Sequence, residues 1–307
     1  MASEPLLSLN TVEAGYGRAA LVLRGLSVAV PPGTIVCLVG PNGAGKSTVL
    51  KVASGMLKPR AGTITVDGAD VTGRGPQQML AAGLAHVLQG HSVFPEMTVE
   101  ENVRLGAYSV KDPAVVAERV RRVQEVFPVV GERWKQLAGL LSGGQQKQVE
   151  FARSLMIEPK VVLLDEPSMG LDPKTTATVF EQIVRMRDHG TAVLLVEQNA
   201  RRALETSDIG CVLDLGRVHI QGPASELLAD PELSRLYLGG RPTTAVHRAG
   251  CTAVVMHRRW WPRAQHHRAL APSAPPGGSH HSTTTAVTLF VSRMGGSMPR
   301  GFARRGP

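Results

Sequence analysis

Ile35-Val36-Cys37-Leu38-Val39-Gly40-Pro41-Asn42-Gly43-Ala44-Gly45-Lys46-Ser47-Thr48 decides the fold of this chain. Five apolar residues in a row suit a strand buried on both faces. The nine residues after them fit G-x4-G-K-[ST], and a helix-competent run, Ser47 to Ser54, comes next. Strand, glycine-rich loop and helix form the context in which this motif binds phosphate. Gly40, Pro41, Asn42, Gly43, Ala44 and Gly45 let successive backbone N–H groups turn inward around an anion, and the helix N-terminus adds positive potential. Lys46 supplies a point charge, and Thr48 completes the motif beside Ser47, whose hydroxyl suits Mg²⁺. A glycine-rich turn with a surface lysine would not need that context, so the stretch reads as a nucleotide site.

Working outward, Val161-Val162-Leu163-Leu164 and Val193-Leu194-Leu195-Val196 are further continuous apolar runs, as in a parallel sheet covered on both sides. Val22 to Val30 alternates more, which suits an antiparallel or edge strand. Pro113 to Val126 has helical spacing, with proline in its first turn and Phe127-Pro128 ending it. No strand-like run occurs between about 92 and 140, so a mainly helical insert is expected there. Asp165 and Glu166 follow the second apolar run, at the strand edge where open α/β sheets do nucleotide chemistry. Asp165 is placed to hold Mg²⁺ through water, and Glu166 to polarise the water attacking a γ-phosphate.

The chain has 307 residues, 43% of them apolar, which excludes wholesale disorder. No stretch approaches the roughly 18–20 uninterrupted apolar residues of a membrane helix. The first residues carry an acid and no basic region, unlike a secretory signal. Three scattered cysteines make neither a disulfide framework nor a CxxC metal site, so a reduced setting is expected. The net charge of +9 is confined to one segment. Residues 241–307 hold ten Arg and no Lys, Asp or Glu, leaving 24 basic against 25 acidic residues in 1–240. A nearly neutral body does not support nucleic acid as a partner.

Leu141-Ser142-Gly143-Gly144-Gln145 supplies a specific resemblance. Between the phosphate loop and the Asp-Glu strand, LSGGQ identifies the chain as similar to the ATP-binding cassette (ABC) ATPases. That implies an α/β fold of the P-loop NTPase type, an ABC ATPase cassette with a mixed sheet core, an antiparallel β subdomain and a helical insert. It implies ATP and Mg²⁺ as cofactors. Tyr16 resembles the aromatic residue that stacks on adenine, and Gln89 the Q-loop glutamine that senses the γ-phosphate and reaches the metal. Ser168-Met169-Gly170-Leu171-Asp172 resembles the D-loop. Ser142 with the amides of Gly143 and Gly144 can form a second anion nest at a helix start, with Gln145 beside it. In the family this nest closes over the nucleotide of a partner protomer.

Finer matches narrow the resemblance. They are Gln89-Gly90-His91-Ser92-Val93-Phe94-Pro95, Met97-Thr98-Val99-Glu100-Glu101-Asn102, Phe127-Pro128, Gln136-Leu137-Ala138-Gly139, Val196-Glu197-Gln198-Asn199-Ala200 and Tyr237-Leu238-Gly239. Together they resemble the second ATPase subunit of high-affinity branched-chain amino-acid importers, whose close relatives serve urea and short amides. This implies ATP hydrolysis coupled to uptake and a place on the cytoplasmic face of the cell membrane. It also implies integral-membrane permease subunits, a second ATPase subunit (paralogue or self) in a head-to-tail dimer, and indirectly an extracytoplasmic solute-binding protein. Gln198 stands where most of the family has a switch histidine, as is frequent in the resembled subfamily. Its amide can donate to the γ-phosphate but cannot become cationic. Leu88 stands where proline commonly precedes the glutamine.

Residues 5–240 are therefore expected to form the ATP-binding domain, with the insert at about 92–140. Residues 241–307 are expected to be a disordered basic tail, with the composition of out-of-frame read-through of a GC-rich gene. A rival reading makes the tail a nucleic-acid or anionic-membrane module, with arginines among Trp260 and Trp261. A soluble ABC protein of DNA repair or translation would need a long coiled-coil insertion or two tandem cassettes. Met79, Met97, Met156 and Met169 read as packing residues, and Trp134 as packing the insert, the rival reading being a place where a membrane partner docks.

Overall fold

Strands β1 (Leu7–Ala14), β2 (Leu23–Val30), β4 (Ala61–Val66) and β5 (Ala69–Asp70) form an antiparallel sheet in the order β2-β1-β4-β5. The other sheet holds β3 (Ile35–Val39), β6 (Leu84–Val87), β7 (Val161–Asp165), β8 (Ala192–Val196), β9 (Ile209–Asp214) and β10 (Arg217–Pro223), in the order β10-β9-β3-β8-β7-β6. From β9 to β6 its pairings are parallel, and β10 closes the edge antiparallel to β9. The alternation of Val22 to Val30 corresponds to β2, an edge strand of the antiparallel sheet. This computed structural model describes residues 4–17, 20–90 and 92–230. All lie in the first of two units, Met1–Trp261; the second, Pro262–Pro307, lies outside the described residues. So do the expected tail at 241–307, Tyr237-Leu238-Gly239 and His91.

The continuous apolar runs explain how the larger sheet is covered. On β3, Ile35, Cys37 and Val39 face one buried cluster, while Val36 and Leu38 face another. The second cluster joins the sheet to helix α1 (Lys46–Ala53) and the antiparallel sheet, through Val49, Leu50, Leu9 and Val28. The first joins it to the insert helices and to α6 (Gly143–Leu155) and α7 (Pro173–Asp188). Every residue of β3, β7 and β8 is buried.

Helix α2 (Pro76–Ala81) precedes the insert, which is helical as expected: α3 (Val99–Leu105), α4 (Pro113–Val126) and α5 (Pro128–Glu132). Thr98 caps α3, accepting from the Glu101 amide while Glu101 accepts from the Thr98 amide at 2.7 Å. Asp112 caps α4, accepting from the Ala114 amide at 2.8 Å, with Pro113 in the first turn. Such caps satisfy amides that have no partner inside the helix. Phe127 stops α4 and packs its ring 6.4 Å from that of Phe151 on α6. Trp134 is partly buried against the same cluster. Met79 and Met156 are buried, but Met169 is half exposed, against the expectation of packing; it lies on a surface turn beyond β7. Helices α8 (Ala200–Thr206) and α9 (Ala224–Ala229) complete the described elements.

Candidate functional site

Because β3, β6, β7 and β8 run parallel, their C-terminal ends share one edge. That edge collects Gly40 after β3, Gln89 after β6, Asp165 and Glu166 at the end of β7, and Gln198 after β8. Sheet topology therefore brings together groups more than 150 residues apart in sequence.

The phosphate loop is held by close approaches that only glycine permits. A Cβ on Gly40 would lie 2.1 Å from the Leu213 carbonyl oxygen on β9. Gly45 caps α1 at φ +106°, in the left-handed region where other residues are strained. Ala44 anchors the loop further, its carbonyl accepting from the Gly216 amide at 3.0 Å. The Lys46 ammonium donates to the Gly40 and Pro41 carbonyls at 2.8 and 3.1 Å, so the lysine lies along its own loop. Burial lowers its pKa, and the charges of Glu166 and Asp165 oppose that shift.

The Ser47 hydroxyl donates to Asp165 Oδ1 at 3.1 Å, tying the helix start to the end of β7. Burial raises the Asp165 pKa against this hydrogen bond. A hydroxyl and a buried carboxylate within hydrogen-bonding distance are hard oxygen donors of the kind Mg²⁺ prefers. Next to them Glu166 adopts φ +47°, an uncommon conformation for a residue with a side chain. Its amide donates to the Val196 carbonyl at 2.9 Å, which fixes the turn. Gln89 Nε2 donates to Glu166 Oε2 at 2.9 Å and lies 3.0 Å from the Met169 sulfur. Gln89 thus meets Glu166, and Ser47 meets Asp165 beside it.

A cleft of about 300 Å³ is lined by Glu166, Ser168, Met169, Gly170, Glu197, Gln198 and Asn199. Gln198 is exposed and shares this cleft with Glu166. Sequence reasoning gave no role to Glu197, which is only 2% exposed. Its carboxylate accepts from the Ser168 amide at 3.0 Å and the Gln198 amide at 3.1 Å, bridging the turns after β7 and β8. Burial raises its pKa against these hydrogen bonds. An acid directly after the apolar run of β8 was the available signal, since a charge so placed needs partners.

Tyr16 is 47% exposed, with its hydroxyl 3.4 Å from Thr48 Oγ1 and the Lys51 ammonium 5.6 Å from its ring centre. An open aromatic face beside the phosphate loop is available for stacking. Ser142, Gly143, Gly144 and Gln145 stand apart from this cluster. Ser142 caps α6, accepting from the Gln145 amide at 3.4 Å, and Gln145 Oε1 accepts from the Ser142 amide at 3.0 Å. Among the described residues, no hydrogen bond joins these four to the phosphate loop. Asp172 caps α7, accepting from the amides of Lys174 and Thr175 and from the Thr175 hydroxyl. Those bonds, the Thr175 hydroxyl first, lower its pKa. Thr175 also packs against Gly144, where a Cβ would come within 2.3 Å of Thr175 Cγ2.

The chain is 40% identical to the high-affinity branched-chain amino acid transport ATP-binding protein BraG of Pseudomonas aeruginosa, over 76% of this chain and the whole of the relative. The chain belongs to the ABC transporter ATP-binding family. The family model for ABC transporters matches residues 23–169. A probable branched-chain amino acid transport ATP-binding protein, LivF of Archaeoglobus fulgidus, is 36% identical over 75% of this chain and 98% of its own length. The crystal structure of an ABC transporter's ATP-binding cassette in its ADP conformation superposes with a TM-score of 0.69 at 27% identity, covering 77% of this chain and all of that one. The fold is thus the ABC cassette, and the protein is a nucleotide-binding ATPase subunit of an ABC transporter. As an ATP-binding subunit of a transporter, the protein works with membrane permease partners; among the described residues no helix is long and apolar enough to cross a membrane.

Proposed function

We propose that this ABC ATPase energises uptake of branched-chain amino acids from the cytoplasmic face of the cell membrane. The observation that carries the catalytic part is the meeting of Gln89, Glu166 and Gln198 around one edge of the sheet. The solute class rests on what the relatives are named for. ATP lies along Gly40–Thr48, its adenine against Tyr16. The loop amides and Lys46 hold the phosphates once the lysine leaves the Gly40 and Pro41 carbonyls. Ser47, Asp165 and Gln89 would hold Mg²⁺, which would neutralise phosphate charge. Glu166 accepts the proton of the attacking water, and Gln89 orients its carboxylate. Gln198 donates a hydrogen bond to the γ-phosphate as charge develops there.

Ser142, Gly143, Gly144 and Gln145 complete the site of a second ATPase subunit in a head-to-tail dimer, with Asp172 on the same face. Permease subunits dock on the helical insert, where Leu105, Tyr108, Leu137 and Leu140 are exposed. An extracytoplasmic solute-binding protein acts through the permease.

Two substitutions separate binding from chemistry. Lys46→Ala removes a phosphate contact, so ATP affinity falls together with turnover. Glu166→Gln keeps size and hydrogen bonding but removes the base, so ATP binds as before while turnover falls about 10²- to 10⁴-fold. Equilibrium nucleotide binding and steady-state ATPase assays read both. Parental turnover in Glu166→Gln would reject the base.

A further inference from the structure

Three charged side chains on one face of α6 take no part in the site described above. Lys147, Glu150 and Arg153 lie three residues apart, so they follow one another along the helix surface. All three engage the short segment that follows Gln89. The Lys147 ammonium donates to the Gly90 carbonyl at 2.6 Å and to Glu150 Oε2 at 2.6 Å. The other oxygen of Glu150 accepts from the Ser92 amide. Arg153 donates to the Ser92 carbonyl at 2.9 Å and to its hydroxyl at 2.5 Å, and lies 5.8 Å from the ring centre of Phe94.

The Lys147–Glu150 pair is almost fully dehydrated, with side chains 4% and 0% exposed. Removing two charges from water costs several kcal/mol each, and an apolar pair of similar volume would serve stability at least as well. Charge-assisted hydrogen bonds do something an apolar pair cannot: they fix a flexible backbone in one place and direction. The backbone fixed here begins one residue after Gln89, whose side chain touches Glu166. The helix doing the fixing begins with the Ser142 cap, little more than one turn before Lys147.

We propose that Lys147, Glu150 and Arg153 are positioning residues that make the segment after Gln89 and helix α6 move as one body. A shift of Gln89 on nucleotide binding or hydrolysis is then passed through Gly90 and Ser92 to Ser142 and Gly143. This rests on the roles given above to Gln89 and Ser142. None of the three side chains touches the nucleotide.

The test uses the full chain with Lys147→Met and Glu150→Leu combined. Together these fill much the same space, remove both charges and delete the Lys147–Gly90 and Glu150–Ser92 bonds, leaving only Arg153 on Ser92. ATP affinity should stay within about twofold, because the phosphate loop is untouched. Turnover should fall about tenfold, a size typical of coupling between sites. The same pair placed in a Gln89→Ala background should lower turnover less than about twofold further, since the coupling has nothing left to transmit. Parental turnover in the apolar pair, or an equal fold loss in both backgrounds, overturns the proposal and leaves the clamp a fold element. Parental turnover in Gln89→Ala alone overturns the role of Gln89 first and the clamp with it. Should the apolar pair fail to fold, Glu150→Gln goes through the same cycle, because its amide keeps the size but cannot accept from both Lys147 and Ser92.

Discussion

At the strand edge several groups are engaged by another part of the chain. Ser47 holds Asp165, Gln89 holds Glu166, and Glu197 joins Ser168 to Gln198. At the start of α6, the side chains of Ser142 and Gln145 bond each other's backbone amides, and Ser142 is exposed. The first region is braced from four strand ends, which preorganises charge where a phosphate would sit. The second is a finished helix cap, with no hydrogen bond to the phosphate loop among the described residues. In the dimer proposed above, these two unlike regions would be the halves of one site, each supplied by a different chain.

That contrast can be broken by mixing variants. Lys46→Ala damages the strand-edge half, and Ser142→Arg puts bulk and charge on the cap half. Each protein alone should lose turnover almost completely. In a self-paired dimer, an equal mixture restores one intact site, formed by the phosphate loop of one chain and the cap of the other. ATPase activity of the mixture should rise to as much as about a quarter of the parental value, by random pairing. No recovery would mean that the halves meet within one chain or that the natural partner is a different subunit. Adding the paralogous subunit decides between those two.

A second measurement sharpens the strand-edge side. If the exposed Gln198 amide donates to the developing charge, Gln198→Ala should slow turnover about thirtyfold to several-hundredfold, the effect of losing a preorganised donor worth roughly 2–4 kcal/mol. ATP affinity should change far less, and Gln198→His should restore the rate, since imidazole donates from the same place. Unchanged turnover in Gln198→Ala would leave Glu166 as the main catalytic group of the edge.

What was legible in the sequence follows the same division. The buried strands announce themselves because a parallel sheet covered on both faces needs continuous apolar runs, as in Ile35–Val39 and Val161–Leu164. The loop announces itself because Gly40 and Gly45 occupy places no side chain can share. Pairwise bonds between distant side chains left no such trace. Nothing local in Lys147-Gln148-Val149-Glu150 distinguishes a buried clamp from a solvated helix face, because burial depends on where Gly90 and Ser92 lie. Glu197 was passed over for the same reason: its partners are two backbone amides, one of them 29 residues away.

Glu197 gives the smallest expected effect, and it tests how the strand-edge half is braced. Its folded-state pKa is raised above the ordinary carboxylate range, chiefly by burial. Below that range both folded and unfolded chains hold the proton, and the carboxyl contributes fully to stability. As pH rises, the unfolded chain releases the proton first, so stability falls until the folded-state value is passed. Asp165, raised in the same direction, adds a slope of its own in any protein that retains it. Glu197→Gln cannot release a proton, and it retains one carbonyl acceptor for the two amides. At pH 5 it should be less stable by about 1 kcal/mol, the net value of one lost hydrogen bond. Its thermal midpoint should then decline less steeply than the parent's between pH 5 and 8, narrowing or reversing the gap. Melting curves without nucleotide across that range read the difference between the two proteins, in which Asp165 cancels. Parallel curves would mean that Glu197 titrates alike in both states, and that the turns after β7 and β8 are held together by the Glu166–Val196 backbone bond instead.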